Sequence, residues 1–155
     1  MPDRPDRMRR NGRPVDQDFH PGEKLFRRYA ADHLIEGQFS PIGLSFDPTP
    51  PSVNREKYSE PPDVLFSETN DFANWGVWSV KAGDLLSAFP EIEPTFSFYP
   101  KHTPMEDNYA HSEIWSDQIP PTGSYAKQSR SVRKLFRTFL CQRIVIEIVA
   151  SASAL

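Results

Sequence analysis

Large apolar side chains recur along this chain in short, separate bursts, and the spacing within each burst predicts its local structure. The most regular burst lies late: Val132, Leu135, Phe136, Phe139 and Leu140 fall at i, i+3, i+4, i+7 and i+8, one stripe of a 3.6-residue period. Ser129 and Ser131 stand before it as N-cap candidates, so an amphipathic helix is expected over about 129–142. A second stripe, Leu25, Phe26, Tyr29, Ala30 and Leu34, predicts a helix of about eleven residues from Glu23, stopped by Gly37. A short strand over 24–29 is the alternative there, because Arg27 and Tyr29 alternate with Phe26 and Arg28.

Period-two bursts predict strands. Residues 75–81 (WGVWSVK) and 93–99 (EPTFSFY) alternate between two faces with aromatic and β-branched side chains, which suit a pleated surface. Residues 39–46 (FSPIGLSF) alternate too, with Pro41 placing them at a sheet edge or a strand start. Residues 144–149 (IVIEIV) read as a final β-branched strand, 111–115 as a strand or a helix start, and 84–89 as a short helical turn. Residues 47–62 hold five prolines and no period, which predicts a long loop of the kind that is functional or disordered. Residues 118–128 read as a Pro/Gly/Ser connection.

A length of 155 residues fits one domain with a real core. The first 21 residues mix Arg, Asp and Pro with few large apolar side chains; they are expected to form a disordered arm, because no burial offsets the entropy of ordering them. The expectation is thus an arm over 1–21, one α+β domain over 22–150 and a frayed tail over 151–155. Within the domain, a largely antiparallel sheet of four to five strands carries the late amphipathic helix on one face and the early helix beside it.

Charge sharpens the picture. The net charge of −3 hides an asymmetry: residues 41–117 hold 13 acids and 4 bases, whereas 118–146 hold six bases and no acid. Arg130, Arg133, Lys134 and Arg137 lie opposite the apolar stripe of the late helix, a surface suited to an anionic partner. The single cysteine, Cys141, excludes an intramolecular disulfide and a thiolate-rich zinc site, and points to a reducing, cytoplasmic setting. No apolar run approaches the length of a bilayer crossing or of a secretory signal core, so no membrane association is expected.

Candidate chemistry is sparse. His20, His33, His102 and His111 show neither HxH nor HExxH spacing, and Gly-rich phosphate loops and GxSxG are missing, so no metal and no cofactor is expected. His111 and Glu113 stand two apart, on one side of a strand, where a carboxylate would orient an imidazole for acid or base work. Asn54, Arg55, Lys57 and Tyr58 form an anion-reading cluster in the proline-rich loop: a planar fork, a point charge and a stacking ring. Were 24–29 a strand, one of Arg27 and Arg28 would point inward and require an anionic partner. The order of Arg27, Ser45 and Glu113 resembles that of the arginine, serine and glutamate in ADP-ribosyltransferase-like folds, without the flanking motifs of those families.

The functional expectation is a small binding or accessory module that docks onto a larger protein or nucleoprotein through Arg55, Lys57, Tyr58 and the basic helix, with nucleic acid as a second type of partner. The alternative is a small enzyme acting on a nucleotide or nucleic acid, ADP-ribosyltransferase-like or nuclease-like. In it His111 and Glu113 serve as acid and base, and Arg55 and Lys57 hold phosphate.

Overall fold

A computed structural model describes residues 4–40, 50–87 and 96–151. Eight strands and two α-helices are found among them: β1 (Lys24–Tyr29), β2 (Leu34–Ile35), β3 (Gln38–Phe39), β4 (Ser52–Arg55), β5 (Gly76–Lys81), α1 (Ala82–Ser87), β6 (Phe96–His102), β7 (His111–Gln118), α2 (Arg130–Cys141) and β8 (Val145–Ile148). Six strands form one sheet in the order β6-β7-β4-β1-β5-β8, and β2 and β3 form a separate hairpin. Every pairing is antiparallel. The chain is α+β, with one more strand in its main sheet than the four to five expected. Among the described residues no helix is long and apolar enough to cross a membrane.

Helix α2 lies against one face of the sheet because its stripe supplies the apolar layer that face lacks. Ser129 caps it, its hydroxyl accepting the Val132 N–H at 3.3 Å. Val132, Phe136, Phe139 and Leu140 enter the main core with Leu25, Tyr29, Val53, Trp78, Val80, Phe98 and Ile114; the Phe98 and Phe136 rings stack at 4.0 Å. Leu135, expected in the stripe, is 53% exposed, since the sheet meets only the narrower i, i+4, i+7 edge of the helix. The other sheet face carries a smaller cluster of Phe26, Val64 and Val77, roofed by a 3-10 turn at Pro61–Leu65.

The helix expected over 23–34 is instead β1 followed by a 3-10 turn at Ala31–His33. Because this strand lies near the sheet centre and both faces are covered, Leu25 and Phe26 are buried consecutively, and two burials on opposite faces imitate a helical stripe. The loop expected over 47–62 contains β4, pinned between β1 and β7. Four residues between prolines suffice for a strand here, its N–H and C=O groups satisfied from both sides. The strand expected over 39–46 is seen only as Phe39 in β3, and 41–49 lie outside the described residues, as do 93–95 of the strand expected over 93–99.

The N-terminal arm also differs from expectation. Residues 4–21 run along the domain and are held to it: Met8 is buried, the Tyr109 N–H donates to Met8 O at 2.7 Å, and Arg7 forks onto Asp63 at 2.6 and 3.0 Å. Arg13 lies 3.9 Å over the Tyr109 ring. Specific ion pairs and backbone hydrogen bonds hold a segment that has little apolar surface of its own.

Candidate functional site

Alternation along the strands sorts the candidate residues onto two faces. Leu25, Arg27 and Tyr29 share the α2 side, as do Val53 and Arg55, whereas Phe26, Arg28, Ser52 and Asn54 face away from it. The register Asn54↔His111 and Ser52↔Glu113 puts His111 and Glu113 on that second face with them.

Arg55, the centre of the expected anion-binding cluster, is wholly buried on the α2 side. Its guanidinium donates twice to Glu23 at 2.9 Å, to Asp18 O at 2.7 Å and to Asp16 O, and it lies 3.8 Å over the Phe19 ring. Lys57 reaches the Asp16 carboxylate at 2.8 Å, and the Tyr58 hydroxyl donates to the same carboxylate at 2.5 Å. The cluster does read anions, but they are Glu23 and Asp16 of this chain. The two bonds hold the Asp16 carboxyl far below its usual range, and burial with the Asp16 contact pushes Tyr58 up to about 12. Arg55, Lys57 and Tyr58 therefore fasten the arm instead of presenting themselves to a partner.

His111 and Glu113 share a face but not a hydrogen bond. The Glu113 carboxylate accepts from Trp115 Nε1 at 3.2 Å, whereas His111 Nδ1 lies 2.8 Å from the Thr103 carbonyl and 3.0 Å from its hydroxyl. A carbonyl only accepts, so Nδ1 carries the proton and Nε2 presents a lone pair. Facing that lone pair at 3.2 Å is the hydroxyl of Ser52. The acid, base and phosphate-holding set of His111, Glu113, Arg55 and Lys57 is therefore not assembled, since Arg55 lies across the sheet. Ser45 of the ADP-ribosyltransferase-like order lies outside the described residues, and Arg27 and Glu113 point to opposite faces. Arg27, the inward arginine, donates to Ser52 O at 2.6 Å, and its burial lowers its pKa.

The face turned away from α2 holds a concavity of about 720 Å³, bordered by β1, β4, the 61–75 segment and the 105–108 turn. Ser52, Asn54 and His111 lie along its sheet side, with Phe66, Phe72 and Trp75 among its walls. Arg28 lies 4.2 Å over the Phe72 ring, its Nη1 donating to Val64 O at 3.3 Å. Among the described residues Arg28 has no acidic partner, and desolvation lowers its pKa. Asn54 is 3% exposed, and its amide oxygen accepts from Asn108 Nδ2 at 2.8 Å. The Asn54 Nδ2 and Asn108 Oδ1 atoms have no partner among the described residues. The period-two pattern of SVNR in β4 was the signal for this site, hidden by the flanking prolines.

On α2, Arg130 and Lys134 are exposed, and Arg133 and Arg137 are half-buried. Cys141, half-buried on the same helix, has its thiol pushed up to about 11 by burial, which leaves it a poor nucleophile. Among the described residues no group of three or more His, Cys, Asp or Glu side chains could hold a metal ion. The chain matches no protein-family model, no curated protein and no solved structure.

Proposed function

We propose that this protein is a small binding module of a reducing, cytoplasmic setting that docks onto a larger protein and grips it through an anionic group lodged in the concavity. The observation that carries the reading is Arg28: a guanidinium laid on an aromatic ring at the border of the concavity, without a carboxylate partner among the described residues. Arg28 is exposed, so its free donors are open to a ligand carboxylate or phosphoryl group whose planar apolar body lies along the Phe66, Phe72 and Trp75 walls. The volume falls in the usual range for ligand sites. A protein partner is favoured over nucleic acid because the body that carries the concavity is strongly acidic, with 13 acids against 4 bases over 41–117.

Phenyl phosphate is the probe, titrated while backbone amide NMR shifts are followed. Saturable shifts at Arg28, Asn54 and His111 are expected, with affinity at least about tenfold weaker in Arg28→Ala, the loss of one charge-assisted hydrogen bond. Shifts confined to α2, or equal affinity in the variant, would overturn the reading. Displacement of phenyl phosphate by a single-stranded oligonucleotide at lower concentration would replace the protein partner with nucleic acid.

A further inference from the structure

We infer that Ser52 and His111 form a nucleophile and base pair, and that the concavity hydrolyses an activated carboxylic ester whose acyl part carries an anionic group. The inference rests on the concavity being a ligand site, as proposed above, and adds a reaction to it.

Three features of the pair go together. The Ser52 hydroxyl is exposed, so a substrate carbonyl can reach it. The facing His111 Nε2 lies 3.2 Å away, within the reach required of a base. The opposite ring nitrogen is fixed by the Thr103 carbonyl at 2.8 Å, which sets the tautomer as a third group must. Register makes the arrangement a property of the fold: Ser52 pairs with Glu113 and Asn54 with His111 across β4 and β7, so Ser52 and His111 are diagonal neighbours on one face. Along the same strand face lies Asn54, 3% exposed, its amide bonded to Asn108 and lying beneath the pair. Arg28, bordering the same concavity, supplies the counter-charge for a carboxylate on the acyl chain.

The step balances within these groups and water. The Ser52 Oγ–H proton passes to His111 Nε2 as Oγ bonds the acyl carbon, giving a tetrahedral oxyanion that faces the open side of the concavity. Collapse breaks the acyl–oxygen bond of the ester, and the leaving alkoxide or phenoxide takes the proton from Nε2. Water then gives a proton to Nε2, attacks the acyl-serine carbon and releases the carboxylic acid, while Ser52 Oγ recovers the proton.

The test uses the full chain with 4-nitrophenyl acetate and 4-nitrophenyl hydrogen succinate, whose acyl chain carries a carboxylate. Release of 4-nitrophenolate should exceed that of Ser52→Ala and of His111→Asn by roughly 100-fold or more, the usual contribution of a positioned base. The succinate should be preferred over the acetate, and Arg28→Ala should abolish the preference. A fluorophosphonate should add once, at Ser52, by intact mass and peptide mapping. Equal rates in the wild-type chain and Ser52→Ala, or labelling at another residue, would overturn the inference. Because Ser52 is exposed, its alanine variant should keep the fold, and its phenyl phosphate shifts check both folding and binding. Binding retained with no turnover and no label defeats the reaction alone; loss of binding in the wild-type chain defeats the underlying site.

Discussion

Replacing Arg55 with methionine separates the structural role of this arginine from the anion-binding role its sequence neighbourhood implies. The substitution fills a similar volume but leaves the Glu23 carboxylate, itself 8% exposed, with the Lys57 N–H at 3.1 Å as its remaining partner. Two charge-assisted bonds to Glu23 vanish, and the carbonyls of Asp16 and Asp18 lose their donor. Removing one partner of a buried ion pair destabilises by about 3–5 kcal/mol, chiefly because the other charge stays buried. For a chain near 150 residues each kcal/mol moves Tm by about 2–4 °C, so a fall of roughly 6–20 °C is expected by calorimetry. The arm should loosen with it, and limited trypsin digestion at Arg9 and Arg10 should accelerate. In the double variant Glu23→Leu with Arg55→Met the combined loss should be smaller than the sum of the two single losses, since no orphaned charge remains. Phenyl phosphate affinity of the folded variant should be unchanged, as Arg55 lies across the sheet from the concavity. A Tm within 2 °C of the wild-type value, or a phenyl phosphate affinity that falls while the fold persists, would refute the reasoning.

Two further outcomes follow from the packing. His102 is buried, its Nδ1 accepting the Asp16 N–H at 2.8 Å and its Nε2 lying 2.6 Å from Tyr109 O; burial, reinforced by Arg55, lowers its pKa below 6.5. The unfolded chain therefore takes up this proton first as pH falls: the stabilisation is complete above about 6.5 and is lost below it. Urea midpoints between pH 7.5 and 5 should show that decline, and His102→Gln should lack the share this imidazole contributes. At Gly76 an added Cβ would meet the Tyr29 ring at 2.3 Å and Ile148 O at 2.5 Å, against a ring whose hydroxyl donates to that same carbonyl. Gly76→Ala should cost about 1–3 kcal/mol by overpacking, read as a lower urea midpoint, and an unchanged midpoint would contradict the close approach of β1, β5 and β8.

By itself the sequence determined the local elements with a strong period or a strong intrinsic propensity. Helix α2 was legible because a single stripe meets a single surface, and β5 because Val77, Trp78 and Val80 are strongly β-forming. The anion-binding character of Arg55, Lys57 and Tyr58 was legible too, since guanidinium, ammonium and phenol recognise carboxylates wherever they stand. Only the tertiary structure decided which carboxylates these were, because Asp16 and Glu23 are brought to them across 32 to 42 residues by the sheet. It also decided that Lys24–Tyr29 is a strand: burial on both faces erased the alternation that marks one. The same holds for β4, a strand four residues long whose central position depends on partners in β1 and β7 rather than on its own propensity. Ser52 and His111 meet through that pairing alone, and no spacing along the chain announces a contact that register creates.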